Sequence, residues 1–238
     1  MALDPDRRPE WLTFDCYGTL IQWDEGLQRV AADVSAKRGG NIDLAKLVQA
    51  YDQREGELER NAPFKEFRVV AGKAFPAALK DLGVNANETD DGKALVEAIP
   101  TFGPFPETLD TLAALKAARF KIAIISNSDD DIIAGNVAQL GGLVDQVVTA
   151  QQARAYKPSR LIFDHALTKL GVGYDRLLHI CASPALDHAA ARDQQFRCVW
   201  INRGTYRKPL ADYEPDQTFR TLTGLTDLFP KLGWMNVS

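Results

Sequence analysis

The chain has 238 residues, 45% of them hydrophobic and 25% charged, which is enough for one large domain or for a core carrying an insertion. With 28 Lys and Arg against 32 Asp and Glu, the net charge of −4 excludes the clustered cationic excess that nucleic acid or an anionic membrane surface requires. No apolar run approaches the roughly 18–20 residues that span a bilayer and the first eight residues lack the apolar stretch of a secretory signal, so a cytoplasmic protein with a small-molecule partner is expected.

The first predicted strand covers residues 11–14 and runs directly into Asp15-Cys16-Tyr17-Gly18-Thr19. From about residue 25 to about residue 100 no strand pattern appears. Apolar spacing there predicts helices around 25–38, 43–60, 64–82 and 91–98, with breaks at Gly39-Gly40, Asn61-Ala62-Pro63 and Gly83. Further strands are predicted at 121–125, 177–181 and 197–201, with another apolar run at 144–148. Helices at 107–119, 130–140, 159–170 and 185–195 alternate with them. Short continuous apolar runs suit strands covered on both faces, and the alternation specifies a doubly wound, Rossmann-like α/β parallel sheet. The expected division is a core of 1–23 and 101–238 with an all-helical cap of 24–100. Inserted after the first strand, such a cap overhangs the carboxyl ends of the strands, where ligands bind in open α/β sheets.

The three cysteines, Cys16, Cys181 and Cys198, are dispersed and odd in number, which argues for reduced core thiols and against a disulfide framework or metal knuckle. The predicted strand ends hold Asp15, Ser126-Asn127, the segment 182–187 ending in Asp187, and Asn202-Arg203, while Lys157-Pro158 follows the run at 144–148. A parallel sheet brings all of these to one rim. The ordered set resembles the four motifs of the haloacid dehalogenase superfamily over nearly the whole chain. Asp15-x-Tyr17-Gly18-Thr19 with Ser126-Asn127, Tyr156-Lys157-Pro158 and Val199 to Arg203 is similar to the L-2-haloacid dehalogenase branch in particular.

The resemblance implies that Asp15 attacks the carbon bearing the leaving group and that water then hydrolyses the aspartyl ester. It implies backbone N–H groups at Cys16 and Tyr17 facing substrate or oxyanion charge, Thr19 orienting Asp15, Ser126 and Asn127 on the substrate carboxylate, and Ser183 beside it. Lys157 keeps Asp15 ionised, and Asp187 holds Lys157 or polarises water. Superfamily phosphatases carry carboxylates where this chain has Tyr17 and Ala182, so chemistry without metal or cofactor is expected. Members of the branch are often dimers, so a homodimer is an expectation of the resemblance.

Other positions depart from the dehalogenase pattern. Pro184 stands where an Asn handles water, Phe163 replaces a tyrosine, and Asp52 falls where the halide-binding arginine belongs, leaving Arg54, Arg60 and Arg68 as substitutes. Opening of the L-azetidine-2-carboxylate ring, phosphate hydrolysis and an inactive binding scaffold are therefore alternatives to 2-haloacid dehalogenation. The acidic run Asp52, Glu55, Glu57, Glu59 reads first as a solvated helix face. Otherwise it serves an ammonium, alongside Trp23 or Tyr51. His188 follows Asp187 but points about 100° away on a helix. His165 and His179 read as core or surface histidines, and Phe64, Phe67 and Phe75 as the packing face of the cap.

Overall fold

A computed structural model describes residues 3–236. In chain order the elements are β1 (Trp11–Phe14), α1 (Trp23–Lys37), α2 (Leu44–Arg60), α3 (Phe67–Asp81), α4 (Glu88–Ala98), α5 (Thr108–Ala117), β2 (Lys121–Ser126), α6 (Asp130–Ala138), β3 (Gln146–Thr149) and α7 (Ala150–Ala153). They continue with α8 (Arg160–Leu170), β4 (Leu177–Cys181), α9 (Ala189–Gln194), β5 (Cys198–Ile201), β6 (Gln217–Phe219) and α10 (Thr223–Leu228).

The sheet has six strands in the order β3-β2-β1-β4-β5-β6, and every pairing is parallel. From β1 the chain passes to β2 and β3 on one side and returns to β4 on the other, so the strand order reverses beside β1. That reversal opens a crevice at the carboxyl ends of β1 and its neighbours. Every residue of β1, β4 and β5 is buried, as continuous apolar runs covered on both faces require. β6 was not predicted. It is a three-residue edge strand with no fully buried position, and its sequence carries no apolar run.

Between β1 and α5 the chain is helical, broken where the sequence supplies breakers. Gly39 and Gly83 take positive φ values of 69° and 83° after α1 and α3. Asp43 and Asn87 cap α2 and α4 by accepting backbone N–H bonds from Ala45 and Lys46 and from Thr89 and Asp90. Trp23 pins these helices to the sheet: its ring lies 4.8 Å from Tyr17 in the β1 loop, 5.7 Å from Tyr51 of α2 and 6.3 Å from Phe67 of α3.

α3 and α4 meet at a pair of glycines. A Cβ on Gly92 would stand 2.1 Å from the Gly72 carbonyl oxygen, whereas a Cβ on Gly72 would meet nothing nearer than 3.7 Å. Gly92→Ala is therefore expected to cost about 1–3 kcal/mol in denaturant unfolding. Gly72→Ala should be neutral or gain up to about 1 kcal/mol through helix propensity. Equal effects at the two positions would refute the close approach.

Candidate active site

The carboxyl end of β1 delivers Asp15 to the crevice, 6% exposed. Thr19, four residues on, donates its hydroxyl to Asp15 Oδ2 at 2.7 Å. Lys157 Nζ donates to Asp15 Oδ1 and to Asp187 Oδ1, both at 2.8 Å, so one buried ammonium bridges two carboxylates. His179 in the middle of β4 lies opposite Thr13 of β1. Its Nε2 is 3.0 Å from Asp187 Oδ1, and its Nδ1 is 2.9 Å from the Thr13 hydroxyl.

Burial alone would raise the Asp187 carboxyl, but the Lys157 charge and the His179 and Lys157 hydrogen bonds outweigh it and hold its pKa down to about 2. Burial also pushes Asp15 upward, against Lys157 and Thr19, which both favour its carboxylate. For Lys157 burial disfavours the charge, yet the two carboxylates win and lift its pKa above the ordinary lysine value. The outcome is a charged Lys157 between a firmly ionised Asp187 and an Asp15 raised above its ordinary value, whose carboxylate form Lys157 and Thr19 support.

The loop after Asp15 closes through Gly18, whose φ of 79° brings its N–H to the Ile21 carbonyl at 2.8 Å. Arg203 braces this loop from the end of β5. It donates to the carbonyls of Gly18 and Thr19 at 3.1 and 2.6 Å, pairs with Glu107 at 2.9 Å, and stacks over the Phe105 ring at 3.4 Å from its centroid. At the end of β2 the Ser126 hydroxyl is buried and has no partner among the described residues. Asn127 accepts the Lys157 backbone N–H at 2.7 Å and turns its amide toward Glu59 at 3.3 Å.

Asp15 and Lys157 lie at the floor of a cavity of about 440 Å³, bounded also by Ser126, Asn127, Tyr17, Ser183 and, from the helical segment, by a stripe of α2. The stripe is acidic: Asp52, Glu55 and Glu59 recur at helical spacing and face inward. Arg207, on the loop between β5 and β6, reaches Asp52 at 2.8 Å and Asp24 of α1 at 2.9 Å, tying α1 and α2 to that loop. Burial first, then the neighbouring Asp52 charge, raises Glu55 to about 8, and burial with Glu55 raises Glu59 well above its ordinary value. A carboxyl with a raised folded pKa binds its proton more firmly when folded, so its stabilising contribution is complete below about pH 4.5 and is lost as pH rises toward 8. Urea midpoints should therefore fall between those two values, and less steeply in Glu55→Gln; identical slopes would remove Glu55 from this wall.

Asp15, Thr19, Lys157 and Asp187 are thus brought into one bonded set, with Tyr17, Ser126, Asn127 and Ser183 on the wall above them. Cys16 is fully buried in the core and does not line the cavity. Of the three substitute arginines, Arg60 at the end of α2 lines the cavity, whereas Arg54 and Arg68 do not. Arg54, two residues or about 200° around α2 from Asp52, is held by both Asp81 oxygens at 2.7 Å. Arg68 is spent on Asp129 and Asp131 at the start of α6. The solvated reading of the acidic run holds for Glu57 alone, which pairs with Arg54. Sequence reasoning missed Arg207 and Tyr206, whose only signal was the cationic and aromatic segment Arg203 to Lys208. It also missed His179 as the group behind Asp187. His188 lies off the cavity, as its direction on the chain implied.

Residues 10–193 match the family model described as hydrolase, haloacid dehalogenase-like hydrolase. Among curated proteins the chain is similar to (S)-2-haloacid dehalogenase 1 of Pseudomonas sp. (strain CBS-3), 28% identical over 205 residues that cover 84% of this chain and 86% of that protein. It is similar also to haloacetate dehalogenase H-2 of Moraxella sp. (strain B), 28% identical over 235 residues, 93% of this chain and 98% of that one. Among solved structures a dehalogenase with an intermediate complex superposes with a TM-score of 0.81 at 23% identity, covering 95% of this chain and 98% of that chain, a likeness of fold.

Proposed function

The chain belongs to the haloacid dehalogenase-like hydrolases, and from that premise we propose that it hydrolyses a small 2-substituted carboxylic acid, first of all an (S)-2-haloacid, through a covalent ester on Asp15. The observation that carries the reading is the Asp15 carboxylate, bridged to Asp187 by Lys157, on the floor of a small cavity beside a Ser126 hydroxyl that has no partner among the described residues. Asp15 attacks C2 of the substrate. The new C2–O bond forms as the C2–halogen bond breaks, the halide leaves with the electron pair, and C2 inverts.

Water then adds to the carbonyl carbon of the ester, one of its protons goes to the departing 2-hydroxyacid and the other to solvent, and the Asp15 carboxylate returns. Ser126 donates to the substrate carboxylate, Thr19 fixes the attacking oxygen, and Lys157 opposes the charge that builds as the halide departs. Asp187, turned to Lys157 and His179, positions the ammonium. The names of the relatives support the halide as the leaving group.

A magnesium ion, as phosphatases of the superfamily employ, does not fit the residues present. Lys157 already fills the space between Asp15 and Asp187, and Tyr17 and Ala182 offer no carboxylate. Among the described residues no helix is long and apolar enough to cross a membrane, in keeping with a small acid met in the cytoplasm. The inward carboxyls of α2 favour a second reading, in which the leaving group is a protonated amine, as in the ring of L-azetidine-2-carboxylate.

The two are separated by incubating the protein with (S)-2-chloropropionate, L-azetidine-2-carboxylate or p-nitrophenyl phosphate, each with and without EDTA. Chloride release insensitive to EDTA is expected, with the phosphate untouched. Ring opening without chloride release would transfer the proposal to the amine. Phosphate hydrolysis lost in EDTA would overturn both.

A further inference from the structure

Behind the turn that carries Asp187 lies a second cluster, which the mechanism does not use. Cys181 ends β4, Cys198 begins β5, and their sulfurs are 3.4 Å apart, reduced and buried. His188 follows Asp187 in a five-residue π-helical turn, Pro184–His188, and is completely buried. Neither of its ring nitrogens has a hydrogen-bond partner among the described residues. Asp187, its neighbour in sequence, turns instead to Lys157 and His179. Trp200 and Tyr213 flank the imidazole at 5.5 and 5.4 Å between ring centroids. One donor atom from each of Cys181, Cys198 and His188 lies within 4.8 Å of the others.

A buried imidazole with both nitrogens idle is costly, at about 1–3 kcal/mol for each unsatisfied group. Two thiols on adjacent strands beside it are the soft donors that Zn²⁺ and Cu⁺ select. Around such an ion, with bonds of about 2.3 Å to sulfur and 2.0–2.1 Å to nitrogen, tetrahedral donors stand roughly 3.6–3.8 Å apart. The present spacing, 3.4 Å between the sulfurs and no more than 4.8 Å among the three donors, is close to that.

We propose that Cys181, Cys198 and His188 form a binding site for one thiophilic d¹⁰ cation, Zn²⁺ or Cu⁺ in chemistry, separate from the Asp15 cavity. Binding takes a proton from each thiol and releases both to solvent, leaving two thiolates and one neutral imidazole on the ion. The ion links β4, β5 and the turn Pro184–His188, and so stiffens the segment that sets Asp187.

The test uses the whole chain, reduced and freed of metal, with Cd²⁺ as the probe. Thiolate-to-cadmium charge-transfer absorption should saturate at one Cd²⁺ per chain, and ¹¹³Cd NMR should give one resonance at the position of a site with two sulfurs and one nitrogen. Zn²⁺ added first should suppress the band. Cys181→Ser and Cys198→Ser should each lower the band about twofold or more, and Cys16→Ser, the remaining cysteine, should leave it unchanged. Absence of a saturable band in the unaltered chain would overturn the proposal without recourse to variants. So would a cadmium resonance typical of oxygen ligands, or a band that survives both Cys181→Ser and Cys198→Ser.

Discussion

Asp15→Asn is expected to fold and to lose turnover of (S)-2-chloropropionate by at least about 10⁴-fold. The substitution keeps the shape of the side chain and removes its nucleophilic anion. The pocket survives because Lys157 retains a second carboxylate, Asp187, at 2.8 Å, and Asp187 keeps His179 at 3.0 Å. The unfolding midpoint should therefore move little while kcat collapses, the pattern of a group that acts in the reaction and not in the fold. A variant that retained a tenth of the activity would remove Asp15 as the attacking group.

Lys157→Met should damage both function and stability. Lys157 is 2% exposed and is the cation shared by two buried carboxylates. Removing it leaves Asp15 and Asp187 in low dielectric without a counter-charge, a loss of about 3–5 kcal/mol near neutral pH. Turnover should fall by about 10³-fold, in line with removal of a preorganised donor.

The pH dependence distinguishes this from general loss of packing. In the unaltered chain Asp187, held at about 2 and ordinarily near 3.8, contributes stability that is complete above pH 3.8 and is lost as pH falls toward 2. Without Lys157 the burial of the two carboxyls is opposed only by the Thr19 and His179 hydrogen bonds, so their folded pKa values rise and the protonated forms gain ground. The stability deficit of Lys157→Met should then be larger at about pH 8 than at about pH 4.5. A deficit independent of pH would mean that the ammonium matters only as packing.

What the sequence made legible was whatever local pattern determines. Asp15, Ser126 and Asp187 could be placed because each follows a short apolar run, and a run of that kind is a strand buried on both faces with its carboxyl end at the ligand crevice. Lys157 could be placed because it follows the run that forms β3. The breaks at Gly39 and Gly83 were visible because few other residues take those φ values.

The cavity wall was less legible. Spacing along α2 groups Asp52, Glu55 and Glu59 on one face, but whether that face meets water or the nucleophile is decided by Arg207, 155 positions away from Asp52. Arg54 and Arg68 failed as substrate contacts for the converse reason. Their nearest carboxylates, on α3 and α6, come from packing that periodicity does not report. The sequence leaves His179 as a core or surface histidine, and it lies in the core. Its part in the site follows from the parallel register that sets it beside Thr13 and under Asp187, which one strand's sequence does not contain.

The covalent ester on Asp15 is tested most directly by a single turnover in H₂¹⁸O, with the protein in excess over (S)-2-chloropropionate, followed by mass analysis of the Asp15 peptide and of the 2-hydroxyacid. The expected result is ¹⁸O in the Asp15 carboxylate and none in the new hydroxyl, because that oxygen comes from Asp15 and water repairs the side chain. Label in the hydroxyl with none in Asp15 would show direct attack by water and contradict the ester.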